Sequence, residues 1–187
     1  MRFEHFLPLI ENTLYFSARR CLRKFGLYGH EPEIISVDVD GTIIDSFSGY
    51  DILIKVFGFE KAWALEEEFR RRLFSGSSIE RETINGIEFL YSMGVREKDL
   101  EDLLADYERE NKVRKNLVDA LQELKRNGKI VLVVTKGVEE FAKLIAEKYG
   151  FDDGIGTKVV DGKVVELIGT REGFVDGVPI KTKITKV

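Results

Sequence analysis

Two aspartates lie two residues apart at the end of a short apolar run, and they are the residues best suited to chemistry. The run 34–39 is rich in β-branched residues and predicts a buried strand; Asp38 lies within it and Asp40 follows it. Side chains two apart on a strand share a face, so the carboxylates would repel each other unless a cation lies between them or one is protonated. This spacing predicts a Mg²⁺ site formed by Asp38 and Asp40 that also presents a carboxylate nucleophile. The alternative is an acidic strand end that caps the next turn.

The residues from Val37 to Asp45 follow the pattern hydrophobic-Asp-x-Asp-Gly-Thr-hydrophobic-hydrophobic-Asp. This pattern resembles the first motif of the haloacid dehalogenase (HAD) superfamily. The resemblance implies that Asp38 attacks a phosphoryl group and that Asp40 acts as acid and base. Thr42 and Asp45 would hold the following turn, and Thr42 is also a candidate phosphate-binding residue. Response-regulator receivers use similar residues, but their acidic pair and phosphoacceptor come from different strands.

A hydroxyl and a glycine end a second apolar segment. Residues 129–137 predict a strand that runs into a tight turn at Thr135-Lys136-Gly137, followed by a helix over 138–149. A hydroxyl and free backbone N–H groups before a helix start can bind phosphate oxygens. The segment is similar to the second HAD motif, which implies Thr135 as a catalytic, phosphate-binding hydroxyl with backbone contacts from Lys136 and Gly137.

A cation is expected further along the chain. Asp161-Gly162 within 157–166 predicts a hairpin with a type I′ turn, and a similar hairpin follows the second motif in phosphoserine-phosphatase-like members. Beyond it, Lys181 and Lys183 lie where those proteins place their third-motif lysine, just before a helix. A cation there would neutralise the nucleophile and the transferring phosphoryl oxygens. The resemblance therefore implies Lys181, with Lys183 nearly equal, as a catalytic residue.

The fourth HAD motif, an acidic pair that completes the Mg²⁺ shell, has no counterpart before Val187. Asp152 and Asp153 follow a predicted helix and should lie at the opposite edge of the sheet. Asp161 belongs to the hairpin turn, which leaves Asp176 as an alternative ligand. Without a fourth-motif strand, the first-motif strand becomes an edge open to pairing with another chain. Three explanations are open for the missing motif and the open edge. The chain is a fragment of a longer reading frame, the N-terminal helix covers the edge, or a homodimer supplies the missing groups.

The region between the two motifs is helical in its periodicity. Glycines and serines separate four predicted helices, at 50–57, 60–74, 79–93 and 97–110. A helical block at this position is similar to the C1-type cap of the superfamily. The resemblance implies a lid that closes over the pocket, excludes water and admits a small phosphorylated metabolite.

The predicted second helix of this block carries a basic cluster, Arg70 to Arg72. One of these arginines could hold a substrate carboxylate, as an arginine does in the similar phosphoserine phosphatases. Alternatively they form a solvated face paired with Glu66 to Glu68 at i,i+4 spacing. Trp63 and Phe69 are predicted to lie in the core of the helical block.

Length and composition limit the class of protein. The chain has 187 residues with a net charge of −4, which gives no electrostatic argument for nucleic acid binding. No apolar run approaches the ~18 residues of a membrane span. A single cysteine, Cys21, excludes an internal disulfide and fits a reducing cytoplasm. Charged residues make up 33% of the chain, which favours a heat-adapted source.

These segments together predict an α/β fold with a Rossmann-like parallel sheet core, an inserted α-helical cap and an N-terminal amphipathic helix. The helix and its linker would occupy residues 1–30, the core 31–46 and 112–187, and the cap 47–111. We expect a cytoplasmic, Mg²⁺-dependent phosphatase that works through an aspartyl-phosphate. The alternative is a truncated or non-catalytic module that binds phosphate or a partner chain.

Overall fold

The computed structural model describes residues 34–169 and 183–186. The N-terminal helix predicted within residues 1–30, Asp176 and Lys181 lie outside the described residues. Everything that is described belongs to one compact unit.

A five-stranded sheet forms the centre of this unit, with the strands in the order in which they occur along the chain. They are β1 (Ile34–Asp38), β2 (Ile130–Val138), β3 (Asp153–Val160), β4 (Lys163–Gly169) and β5 (Lys183–Lys186). The first three strands are parallel, and β4 and β5 continue the sheet in antiparallel pairing. The predicted α/β fold is confirmed, and the two motif-bearing strands β1 and β2 are direct neighbours.

Six α-helices surround or precede the strands in the described part of the chain. They are α1 (Ser48–Phe57), α2 (Phe59–Phe74), α3 (Ile79–Ser92), α4 (Glu97–Arg109), α5 (Lys115–Arg126) and α6 (Glu139–Tyr149). The first four lie between β1 and α5, and their ends agree with the predicted helices to within two residues. None of the helices in residues 34–169 is long and apolar enough to cross a membrane.

The core lies between the parallel strands and the helices packed on them. Val131 and Val133 of β2 are fully buried, and so is Val39 just beyond β1. Helix α4 joins this core through Leu103 and Tyr107, whose ring meets that of Phe141 at a centroid distance of 6.4 Å. Ile52 of α1 and Leu90 of α3 belong to the same cluster, so several helices of the insertion share one core with the sheet.

Helix α6 approaches β3 unusually closely. A Cβ atom on Gly154 would lie 2.3 Å from the backbone of Ala142, and one on Gly156 would lie 2.6 Å from Cα of Glu139. These distances are too short for any side chain, so the two glycines allow the helix to pack directly on the strand.

The predicted hairpin between β3 and β4 is also confirmed. Asp161 and Gly162 have φ of +50° and +75°, as a type I′ turn requires.

Strand β1 is an edge of the described sheet, with β2 as its one described neighbour. Ile34 at its start is 55% exposed. This agrees with the expectation that the first-motif strand is an edge.

The prediction that Trp63 lies in the core of the helical block was wrong. Trp63 stacks on Phe59 at the surface of α2 and is 47% exposed, because neither ring is covered by another helix in the described chain.

Candidate active site

Asp38 is the last residue of β1 and is paired in the parallel register with Val134 of β2. Burial raises the pKa of its carboxyl above the ordinary value, and the nearby Asp40 adds to this rise. The backbone N–H of Val39 and the ammonium group of Lys136 oppose it. Lys136 therefore favours the ionised form of Asp38 against the effect of burial.

Asp40 is held by the start of helix α1. The backbone N–H of Ser48 donates to Oδ1 of Asp40 at 2.8 Å, and the Ser48 hydroxyl donates to Oδ2 at 3.1 Å. Burial raises the pKa of Asp40, both Ser48 hydrogen bonds lower it, and the charge of Asp51 raises it. The helix N-terminus therefore fixes the direction of the carboxyl group while burial favours its protonated form.

Asp51 links the loop after Asp40 to two helices. The hydroxyl of Tyr107 on α4 donates to Oδ2 of Asp51 at 2.7 Å, and Ser46 donates to the same carboxylate. Burial raises the pKa of Tyr107, and the hydrogen bond to Asp51 raises it further. The phenol therefore stays a neutral donor that ties α4 to α1 beside the acidic pair.

Asp45 lies where the two ends of the helical insertion meet. Its backbone N–H donates to the carbonyl of Lys112 at 2.8 Å, and its Oδ1 accepts from Arg114 at 2.9 Å. The N–H of Thr42 donates to the carbonyl of Val39 at 3.2 Å within the turn. These bonds hold the turn as expected, while phosphate binding by Thr42 stays a prediction.

The second motif lies in a bulge of β2 and not in a tight turn. Strand β2 pairs with β3 at Val134 and again at Val138, so three residues of β2 stand opposite one residue of β3. Helix α6 then begins at the next residue, Glu139. The strand continues because β-branched valines flank the bulge on both sides and pair with β3.

Within this bulge the backbone groups already have partners. Thr135 is only 4% exposed, and its Oγ1 accepts from the N–H of Gly137 at 3.0 Å. The carbonyl of Lys136 accepts from the hydroxyl of Thr157 at 2.7 Å. The Lys136 side chain is exposed and acts electrostatically on Asp38. The sequence analysis assigned Lys136 only its backbone and missed the role of its charge.

A cavity of about 610 Å³ extends from Asp40 into the helical insertion. Asp40, Ser48, Lys136 and Gly137 line it together with side chains of α1, α2, α3, α4 and α6. The cavity therefore joins groups from the first motif, the second motif and the inserted helices.

Both predictions for the basic cluster Arg70 to Arg72 are met in part. Arg70 pairs with Glu66 at i,i+4 spacing, and Arg72 lines the cavity.

The predicted third-motif position is wrong for Lys183. The main chain of Lys183 begins β5 and pairs with Gly169 of β4, at the edge of the described sheet farthest from β1. The expected helix does not form over 183–186 because alternating Ile184 and Thr185 favour an antiparallel strand on β4. The other candidate, Lys181, lies outside the described residues.

The acidic residues considered as replacement ligands lie where the sequence analysis expected. Asp152 accepts from the N–H of Val131 at 2.7 Å and pairs with Lys125 at 3.0 Å, at the beginning of β2 and away from Asp38. Asp161 lies in the hairpin turn. Across residues 34–169, no three acidic, histidine or cysteine side chains converge as a metal site would require.

The class of protein follows from the match of the sequence to a known family. Residues 35–185 match the family model described as haloacid dehalogenase-like hydrolase. The match covers most of the chain, and the protein belongs to the haloacid dehalogenase-like hydrolase family. No curated protein sequence matches the chain.

Two solved structures have a similar fold. A protein with unknown function from Bordetella pertussis Tohama I superposes with a TM-score of 0.55 at 17% identity, covering 72% of this chain and 65% of that one. A phosphoserine phosphohydrolase-like protein from Francisella tularensis subsp. tularensis SCHU S4 gives a TM-score of 0.50 at 19% identity, covering 73% and 64%. The match thus spans slightly less than two thirds of the length of each.

Proposed function

We propose that the protein is a Mg²⁺-dependent phosphatase that hydrolyses a small phosphorylated metabolite through an aspartyl-phosphate on Asp38. The observation that carries the proposal is the pair Asp38 and Asp40 at the end of β1, next to Lys136 and to a cavity. Membership of a hydrolase family and a fold like that of a phosphoserine phosphohydrolase-like protein support it.

The environments of the two carboxyl groups support a division of roles. Burial raises the pKa of both carboxyl groups; Lys136 opposes the rise at Asp38, and two hydrogen bonds from Ser48 oppose it at Asp40. The carboxylate beside the cation is suited to act as the ionised group, and the carboxyl group held by the helix start is suited to transfer a proton. Asp38 is then the nucleophile, and Asp40 is the acid.

The reaction follows in two steps. An oxygen of Asp38 attacks phosphorus, the bond from phosphorus to the ester oxygen breaks, and Asp40 gives its proton to the departing alcohol. Water then attacks the phosphorus of the acyl phosphate while Asp40 takes a proton from it. Inorganic phosphate leaves and both carboxyl groups return to their starting states. Ser48 keeps Asp40 aligned in both steps.

Charge on the phosphoryl oxygens needs donors and cations. We assign this role to the Lys136 ammonium group, which acts on Asp38, and to the Thr135 hydroxyl, Gly137 and Thr42. Lys181 would act with them as the third-motif lysine. Such groups are most effective where they are fixed before the reaction begins.

The chemistry of the acidic pair fits a Mg²⁺ ion. The Asp38 carboxylate and the Asp40 main-chain carbonyl would hold it, since Mg²⁺ prefers oxygen ligands and keeps several waters. Burial raises the pKa of both aspartates, and a bound cation would oppose this rise by favouring their ionised forms. When bound, the ion would neutralise charge on the phosphoryl group.

The test is turnover of p-nitrophenyl phosphate by the purified chain with and without Mg²⁺. Asp38→Asn should abolish Mg²⁺-dependent turnover, because an amide cannot form the acyl phosphate. Asp119→Asn is the matched control: Asp119 is exposed on α5, and its change should leave the rate unaltered. Full activity of the Asp38→Asn variant would exclude the mechanism.

A second candidate is a non-catalytic module that binds phosphate or a partner chain. Two observations favour it: the described residues contain no complete metal-ligand group, and β1 is an exposed edge. This candidate predicts no Mg²⁺-dependent turnover, together with phosphate binding or a stable homodimer through β1. The same assay, with the molar mass measured in solution, separates the two candidates.

A further inference from the structure

We infer that the substrate is a phosphate ester whose alcohol part is apolar, and that the cavity of the helical insertion binds this apolar part. The inference rests on the proposed function and names the substrate class for the same site. It places the phosphoryl group at Asp38 and Asp40 and the apolar group between α1, α2, α3, α4 and α6.

The wall of the cavity is mainly hydrocarbon. Five helices contribute apolar side chains to it, among them Leu53, Leu65, Phe69, Ile87, Phe89, Leu100 and Phe141. At about 610 Å³, the cavity lies within the ~300–1,000 Å³ typical of sites that enclose whole small molecules. A phosphate ester with a short polar substituent would leave most of this apolar wall in contact with water.

The charged side chains of the wall already satisfy one another. Glu82 is 2% exposed and accepts from the Ser77 hydroxyl at 2.6 Å and from Nε of Arg72 at 2.7 Å. Arg72 also donates to Glu68 at 2.7 Å. Since two carboxylates hold Arg72, it offers little to a substrate carboxylate, and a charged substituent would have to compete with Glu82, which lies within reach at 2.7 Å.

The neutral polar groups of the wall are also engaged. The hydroxyl of Thr83 donates to the carbonyl of Ile79 at 2.8 Å. Hydrogen bonds from Ser77 and Arg72 lower the pKa of Glu82, and the Asn85 amide lowers it further. Burial raises the pKa of Tyr91, and the Glu140 carboxylate raises it further, so this phenol stays neutral. Polar recognition is thereby concentrated where Asp40 and Lys136 line the cavity, and the rest of the wall favours an apolar group.

Alkylphosphonates test this without requiring turnover, because their carbon–phosphorus bond is not hydrolysed. We expect the affinity of the wild-type protein, measured by calorimetry with Mg²⁺ present, to increase from methyl- through butyl- to hexylphosphonate. The increase should approach about fourfold for each methylene that enters the cavity. Equal affinities along the series, or no binding of any member, would overturn the inference.

Two phenylalanines of the same helix provide the matched variants. Phe69 lines the cavity, whereas Phe74 is 92% exposed and does not. Phe69→Gln should weaken hexylphosphonate binding about tenfold and leave methylphosphonate unchanged, and Phe74→Gln should change neither. Leu65→Asn serves in place of Phe69→Gln if that variant does not fold. An equal loss of affinity for hexylphosphonate and methylphosphonate would contradict binding of the alkyl group in the cavity.

The outcomes separate this inference from the proposed function. Loss of p-nitrophenyl phosphate turnover in Asp38→Asn with equal phosphonate affinities would leave the phosphatase proposal standing and overturn the apolar substrate. Phosphonate affinity that increases with alkyl length, without any turnover of p-nitrophenyl phosphate by the wild-type protein, would support an apolar ligand for the cavity. It would exclude the phosphatase proposal.

Discussion

At the scale of single residues, the account depends on how Ser48 and Lys136 divide the roles of two similar carboxyl groups. The sequence predicted Asp38 and Asp40 from their spacing alone, because strand geometry puts residues two apart on one face. It could not predict Ser48, Asp51 or Tyr107, because those hydrogen bonds depend on how the insertion folds back over β1. A serine at a helix start was the one local signal.

The pH dependence of turnover should report on Ser48. The hydrogen bonds from Ser48 lower the pKa of Asp40, so Ser48→Ala, which removes the hydroxyl donor, should raise that pKa further. The limb of the pH–rate profile set by Asp40 should therefore move to higher pH. Ser48→Thr, which keeps the hydroxyl, should restore the wild-type profile. A limb that does not move, or that moves to lower pH, would remove Asp40 as the titrating acid.

The charge of Lys136 should matter more than its backbone. Lys136→Ala should lower kcat/KM for p-nitrophenyl phosphate roughly tenfold or more, because it removes a cation close to the developing phosphoryl charge. Lys136→Arg should retain part of the activity. Lys158→Ala, at an exposed position on β3, is the control. Equal activity of the Lys136→Ala and Lys158→Ala variants would show that the side chain is not used.

At the scale of elements, helix periodicity and glycine stops were enough to predict the four inserted helices to within two residues. The bulge of β2 could not be predicted, because it is set by the register of β2 with β3. In the sequence, Gly137 indicates a turn as well as it indicates a bulge. The glycines of β3 were missed for a similar reason. Their role depends on the approach of α6, which local sequence does not reveal.

The contact between α6 and β3 should be sensitive to one added carbon. Gly154→Ala would place Cβ 2.3 Å from the backbone of Ala142, so the helix must shift away from the strand. We expect a loss of about 1–3 kcal/mol in the free energy of unfolding, measured by denaturant titration. Gly86→Ala is the control, because nothing lies within 4 Å of its Cβ position inside α3.

The control should be neutral or more stable by up to about 1 kcal/mol, as alanine favours a helix over glycine. Equal stability of the Gly154→Ala and Gly86→Ala variants would mean that α6 does not pack on β3 as closely as described.

At the scale of the whole molecule, the periodicity of the segments and the resemblance of two motifs to the HAD superfamily predicted the α/β fold, and the topology placed Asp152 away from Asp38 as expected. The position of Lys183 was wrong, because family spacing predicted a helix where strand propensity and β4 favour a strand. Among the described residues β1 is an exposed edge and no complete metal-ligand group is present, which leaves a homodimer as a proposal for how a metal site is completed.

The most direct measurement is to identify the phosphorylated residue during turnover. The protein is mixed with p-nitrophenyl phosphate and Mg²⁺ and treated with hydroxylamine, which converts an acyl phosphate to a hydroxamate, and the peptides are analysed by mass spectrometry. The account predicts a hydroxamate on Asp38 that is absent when phosphate ester is omitted. Turnover with the label on another residue, or with none on Asp38, would contradict it.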